Sequence, residues 1–195
     1  MSLRARIRSG DKAAFGELFD DYAKAVYNHA FRLTANWSTA EDVMALTFLE
    51  AWRSRARIDP EGGSLKPWLL VIATNVARNV RRAARRHDDA LARLPRGEEV
   101  PDFADEVVGR MDDAERLAAV RQAYGRLRRH EQDVFALCVL GGLDYAEAAE
   151  ALGIPVGTVK SRLSRARRKL ALLGEPPPAP RQVVGDRGPE KEEIR

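Results

Sequence analysis

The chain is 195 residues long, 45% hydrophobic and 32% charged, and its 33 Lys and Arg outnumber 29 Asp and Glu for a net charge of +4. That balance belongs to a folded protein of one medium or two small domains. A single cysteine, Cys138, excludes an intrachain disulfide, and with only three histidines beside it a structural zinc site is not expected.

The opening segment, Met1 to Arg8, is basic but is not followed by an apolar signal core. No run approaches the roughly 20 apolar residues that a spanning helix needs, so no membrane insertion is expected. Apolar residues then recur at helical spacing almost throughout, with Gly and Pro marking the breaks. The first predicted helix runs from about Lys12 to Leu33, capped by Asp11, with Phe15, Leu18, Tyr22, Val26 and Ala30 on one stripe. The second starts at Ser38, with Glu41 three residues on completing a capping box, and fades near Arg55. Residues Ile58 to Ser64 read as a Gly-containing loop. A third helix starts near Pro67, a residue suited to a first turn, and continues to about Arg86.

From His87 to about Asp112 the periodicity weakens and Pro95, Gly97 and Pro101 accumulate among many acids, as in a linker; only Phe103 to Val108 suggests a short helical turn. A second unit is predicted from Asp113. Its first helix carries Leu117, Val120, Tyr124 and Leu127, and its second runs from Arg129 to Leu140 and stops at Gly141 and Gly142. A short third helix follows Asp144, with Glu147 completing a capping box, and ends at Gly153. A last helix runs from Val156 to about Leu173. Beyond it lies a Pro-rich, polar tail expected to be disordered. The expectation is an all-α chain of two small helical domains, 1–86 and 113–173, joined by an acidic linker, 87–112, and followed by a tail, 174–195. The second domain is a helix-turn-helix of the winged-helix-like DNA-binding class.

Charge falls in blocks. Residues 62–86 hold six Lys and Arg and no acid, 88–115 are dominated by acids, and 155–173 are again basic without an acid. Two basic blocks flanking an acidic one point to two nucleic-acid contacts. Asp144 to Leu170 supplies one. Ala148 and Ala149 are small where two helices must cross, Gly153 makes the turn, and Val159, Leu163, Ala166 and Leu170 hold the last helix on a core. The face left over, with Thr158, Lys160, Ser161, Arg162, Arg165 and Lys169 as candidates, suits a major groove, where Arg and Lys read guanine edges and bind phosphates. The third helix supplies the other, with Asn75, Arg78, Asn79 and Arg82 on a polar face beside Trp68 and the Gly-rich loop. Trp68 is expected first to hold this helix on the core and only second to frame the site.

The two motifs in this order resemble RNA polymerase sigma factors of the extracytoplasmic-function group, from roughly Gly10 to Leu172. Ala40 to Arg53 resembles the helix that docks on the polymerase clamp coiled coil, Pro67 to Arg82 the −10 reader, and Gly157 to Leu170 the −35 recognition helix. The resemblance implies a non-enzymatic, cytoplasmic factor without cofactor. It would bind core polymerase at the clamp coiled coil and the flap, capture the unpaired −10 strand, read the −35 duplex and answer to an anti-sigma factor. Asp42, Met44 and Thr47 are the expected docking residues. Three positions depart from the family pattern: Ala45 where Gln is frequent, Asn79 where Asp is common, and Pro155 in place of a Ser cap. A helix-turn-helix regulator acting without polymerase would explain Asp144 to Leu170 but leave the first unit without a task. An enzyme is disfavoured, because no Ser/His/Asp set, phosphate loop or metal-ligand spacing is present.

Overall fold

A computed structural model of the chain describes residues 2–91 and 122–172. Seven α-helices have both ends among them: α1 Leu3–Ser9, α2 Lys12–Thr34, α3 Trp37–Ser54, α4 Lys66–Leu91, α5 Arg129–Phe135, α6 Tyr145–Leu152 and α7 Val156–Leu172. Residues 122–126 are also helical, and no strand occurs among the described residues. The expected linker, apart from the residues through 91, lies outside the described residues. So do the turn at Phe103 to Val108, the Leu117 and Val120 stripe, and the Pro-rich tail.

Helices α2, α3 and α4 pack mutually and form the first unit. Leu18, Val26, Ala30, Val43, Ala51, Leu69, Leu70 and Ala73 are its buried centre. Asp11 caps α2 as expected, accepting from the amides of Ala13 and Ala14. The cap of α3 differs from expectation. Asn36, not Ser38, accepts from the amide of Thr39, so the helix starts at Trp37 and the Ser38–Glu41 box does not form. The shift follows from the turn between α2 and α3, where Ala35 takes a left-handed conformation (φ 53°) and leaves Asn36 extended with its side chain over the new helix. Trp37 then stacks on Phe31, ring centroids 4.0 Å apart.

Helix α1 was not expected from the sequence. Ser2 caps it, Ile7 is wholly buried, and Gly10 ends it in the left-handed region (φ 90°). Helix α4 runs on to Leu91, beyond the expected stop near Arg86.

In the second unit α7 packs on both α5 and α6. Val134, Phe135, Leu137, Ala148, Val159, Leu163, Ala166 and Leu170 are buried there. Helix α5 widens into a π turn at Ala136–Leu140, closed by the Gly141 amide on the Ala136 carbonyl at 2.7 Å. The two units touch. Helix α4 packs on α6 and on the π turn, which also meets α2. A Cβ on Gly141 would lie 2.7 Å from the Leu137 carbonyl oxygen, so the end of the π turn requires a glycine, and 2.8 Å from Leu70 Cδ1 of the first unit.

Candidate nucleic-acid interface

The helix-turn-helix is built by local chemistry. Asp144 accepts from the amides of Ala146 and Glu147, and Glu147 accepts in return from the Asp144 amide at 2.9 Å, which completes the predicted capping box. Gly153 (φ 63°) ends α6 in the left-handed region, and the Ile154 amide reaches back to the Ala149 carbonyl at 3.0 Å. Pro155 has no capping side chain, yet α7 starts regularly, because the Pro155 carbonyl takes the amides of Thr158 (2.9 Å) and Val159 (3.2 Å).

Helix α7 buries Val159, Leu163, Ala166 and Leu170, the predicted row. Its outward side presents Lys160, Ser161, Ser164, Arg165 and Arg168, all exposed, with Thr158, Arg162 and Arg167 at the edges. Ser164 and Arg168 were absent from the sequence-based set. The 3.6-residue period counted forward from Ser161 would have included both. Arg165 lies beside Ser161, Nη2 to Oγ 3.5 Å, and Ser161 donates to the Thr158 carbonyl at 3.1 Å.

Lys169 stands apart from the others. Its ammonium donates to both carboxylate oxygens of Glu131, at 2.8 and 2.7 Å. The Glu131 side chain is only 2% exposed and also accepts from the Arg128 amide at 2.9 Å. Burial works to raise the Glu131 carboxyl pKa, but Lys169 and the Arg128 N–H outweigh it and hold the pKa below the usual value of 4.5. Lys169 therefore ties the end of α7 to the start of α5 and is not a free contact of the exposed face.

On α4, Asn75, Asn79 and Arg82 are exposed. Arg78 is not: it is 7% exposed, donates to Asn75 Oδ1 at 2.8 Å and forms an ion pair with Asp133 of the second unit. The sequence placed Arg78 on an open polar face; the neighbouring unit covers it. Arg81, one helical turn on, lies over the Tyr124 ring at 5.7 Å. Trp68 is half-buried and packs on the core, as expected. Beneath this face Thr74 donates to the Leu70 carbonyl at 2.7 Å and meets the buried His29 Nε2 at 2.9 Å. Burial, aided by the charges of Arg32 and Lys66, pushes the His29 pKa down to about 3.

On α3, Asp42 is exposed and Met44 is half-buried, but Thr47 is fully buried and its hydroxyl donates to the Val43 carbonyl at 2.6 Å. A contact through Thr47 is excluded by that burial. The exposed side is instead Asp42, Ala45, Leu46, Leu49 and Glu50. Leu46 and Leu49 are large apolar residues, 43% and 44% exposed.

The family pattern described as Sigma-70 region 2 matches residues 18–87, and Sigma-70, region 4 matches residues 117–170. The chain is 33% identical over 175 residues to the ECF RNA polymerase sigma factor BldN of Streptomyces coelicolor, covering 89% of this chain and 65% of BldN. It therefore spans a little under two thirds of that relative's length. It is 34% identical over 173 residues to the RNA polymerase sigma factor CarQ of Myxococcus xanthus, covering 87% of this chain and 95% of CarQ. The solved structure of CnrH in complex with the cytosolic domain of CnrY superposes with a TM-score of 0.59 at 28% identity, covering 88% and 94% of the two chains.

Proposed function

The chain belongs to the extracytoplasmic-function group of RNA polymerase sigma factors, and from that membership and its own surfaces we infer how it acts. It binds core polymerase in the cytoplasm and directs initiation at promoters by binding alone, without catalysis. The observation that carries this reading is the joining, in one chain, of two different surfaces. One is the exposed basic face of α7, built for a duplex groove. The other is a separate helical unit with a polar α4 face and two exposed leucines on α3.

Each surface has a role. Helix α7 enters the major groove of the −35 element, with Arg162 and Arg165 as base or phosphate contacts and Lys160 and Arg168 adding phosphate attraction. The loop from Asp59 to Ser64 and the exposed Asn75, Asn79 and Arg82 take unpaired bases of the −10 strand. The α3 face docks on the polymerase clamp. Leu46 and Leu49 supply apolar area, and Asp42 sets orientation and on-rate. The second unit also serves the flap, and an anti-sigma factor covers both units. The solved relative held by another protein's cytosolic domain supports that last partner. Because Asp133 covers Arg78, capture of the −10 strand by the full α4 face requires the second unit to swing away, an exchange made when both units find their sites on polymerase.

The experiment is a titration of a promoter duplex with the purified chain, with and without core polymerase. A sigma factor gives a promoter-specific complex that depends on core. Equal specific binding by the chain alone would favour a free-standing regulator.

A further inference from the structure

The loop between the 3₁₀ turn Arg55–Arg57 and α4 is laced to α1, through pairs 50 to 60 residues apart in the chain. Arg8 donates to the Ile58 carbonyl at 2.9 Å, Arg4 Nε to the Asp59 carbonyl at 2.6 Å, and Ser2 to the Pro60 carbonyl at 3.3 Å. Arg4 Nη1 continues to the Gly63 carbonyl and lies 3.4 Å from that of Ser64. One arginine thus grips both limbs of the loop through bonds strengthened by its charge. Two further contacts fix α1 itself. Ile7 is sunk in the core, and Arg6 pairs with Asp11 (2.8 Å) and Glu17 (3.0 Å) at the start of α2.

The loop side is fitted to this grip. A Cβ on Gly62 would collide with the Arg4 guanidinium, reaching 2.7 Å from its Cζ. Gly63, the next residue, has nothing within 4 Å of where its Cβ would stand. A side chain at Gly62 would therefore have to displace the Arg4 guanidinium from its place on the loop, whereas one at Gly63 would not. With its carbonyls turned inward onto α1, the loop keeps its side chains Asp59, Glu61 and Ser64 exposed.

We propose, building on the strand-capture role assigned to this loop above, that Arg4 is a positioning residue for promoter opening: from α1 it holds the loop in the shape that receives an unstacked −10 base. It touches no base itself. A loop held in advance spends less ordering free energy when the base arrives, and its pocket keeps one geometry and so one base preference. Arg8 and Ser2 assist at the entry limb.

The test uses reconstituted holoenzyme and single-stranded oligonucleotides copied from the −10 non-template strand of a promoter mapped by its transcript 5′ ends, with each base varied in turn. The variants are Arg4→Ala, Gly62→Ala and the double substitution. Arg4→Ala and Gly62→Ala are each expected to weaken capture roughly tenfold and to flatten discrimination at one base position. The double variant is expected to be no worse than Arg4→Ala, because both remove one contact. Core competition and binding to −35 duplex stay at wild-type levels, which separates positioning from unfolding. Wild-type base discrimination by folded Arg4→Ala, or additive losses in the double variant, would overturn the positioning role alone. Absence of discrimination in the wild-type holoenzyme itself would overturn the strand-capture reading along with it.

Discussion

His29 and Lys169 show how single side chains in this molecule are committed to structure before function. His29 is neutral because it is buried, and its pKa of about 3 lies well below the ordinary 6.5. The unfolded chain therefore binds a proton that the folded chain refuses. The stability this supplies is complete above pH 6.5 and is lost as pH falls from there toward 3, by up to about 1.4 kcal/mol per pH unit. Urea unfolding followed at pH 7.5 and pH 5.5 should show this loss, and His29→Gln should flatten it. Lys169 is the partner that keeps the buried Glu131 carboxylate satisfied. Lys169→Met should cost the second unit about 1–3 kcal/mol of stability, read by denaturant unfolding, and Glu131→Gln in the same background should recover part of it. Lys160→Ala should leave stability nearly unchanged, weaken DNA binding about equally across sequences and reduce its salt dependence. The sequence could not separate these two lysines, because both sit in one basic block and the partner of one is 38 residues away.

At the scale of elements, the helices written in local code were legible. Asp11, the Asp144–Glu147 box, Gly153 and the Val159–Leu170 row carry their instructions within a few residues, and each formed as expected. Helix α1 was missed because its seven residues include three arginines and only one buried apolar side chain. Its reasons for forming are a core and a loop supplied from elsewhere. The α3 cap slipped by two residues because a left-handed alanine, which no propensity favours, made Asn36 the better cap. The α7 face yields the prediction at this scale. Arg162→Ala and Arg165→Ala should each weaken binding of holoenzyme to a −35 duplex by about 1–3 kcal/mol if the side chain reads a base, with relaxed preference at one position. A phosphate contact would instead lower the salt slope by about one unit. Equilibrium binding at several salt concentrations, on duplexes varied one base pair at a time, decides which each residue does.

At the scale of the whole molecule, the contact between units was invisible in the sequence. Arg78 reads as one more residue of a polar face, and Asp133 as one more acid; only tertiary packing brings them together, 55 residues apart. The same contact includes Arg32 Nη1 donating to the Leu140 carbonyl at 2.6 Å, and Gly141 against Leu70. Asp133→Ala removes the charge that holds Arg78 while leaving the Glu131–Lys169 pair intact. Fluorophores on the two units should then report a larger separation in the free protein, and the variant should associate with core polymerase faster. An unchanged separation would mean that the remaining contacts, the Arg32–Leu140 hydrogen bond and Gly141 against Leu70 among them, hold the units together without the ion pair.

The central claim is that this chain selects promoters through polymerase. It is tested most directly by mapping transcript 5′ ends made from genomic DNA by core polymerase alone and by core reconstituted with the chain. The account predicts a new set of starts preceded by shared −10 and −35 sequences at fixed spacing, lost when Arg162 and Arg165 are both replaced by alanine. The same starts with and without the chain, or new starts that survive the double replacement, would contradict it.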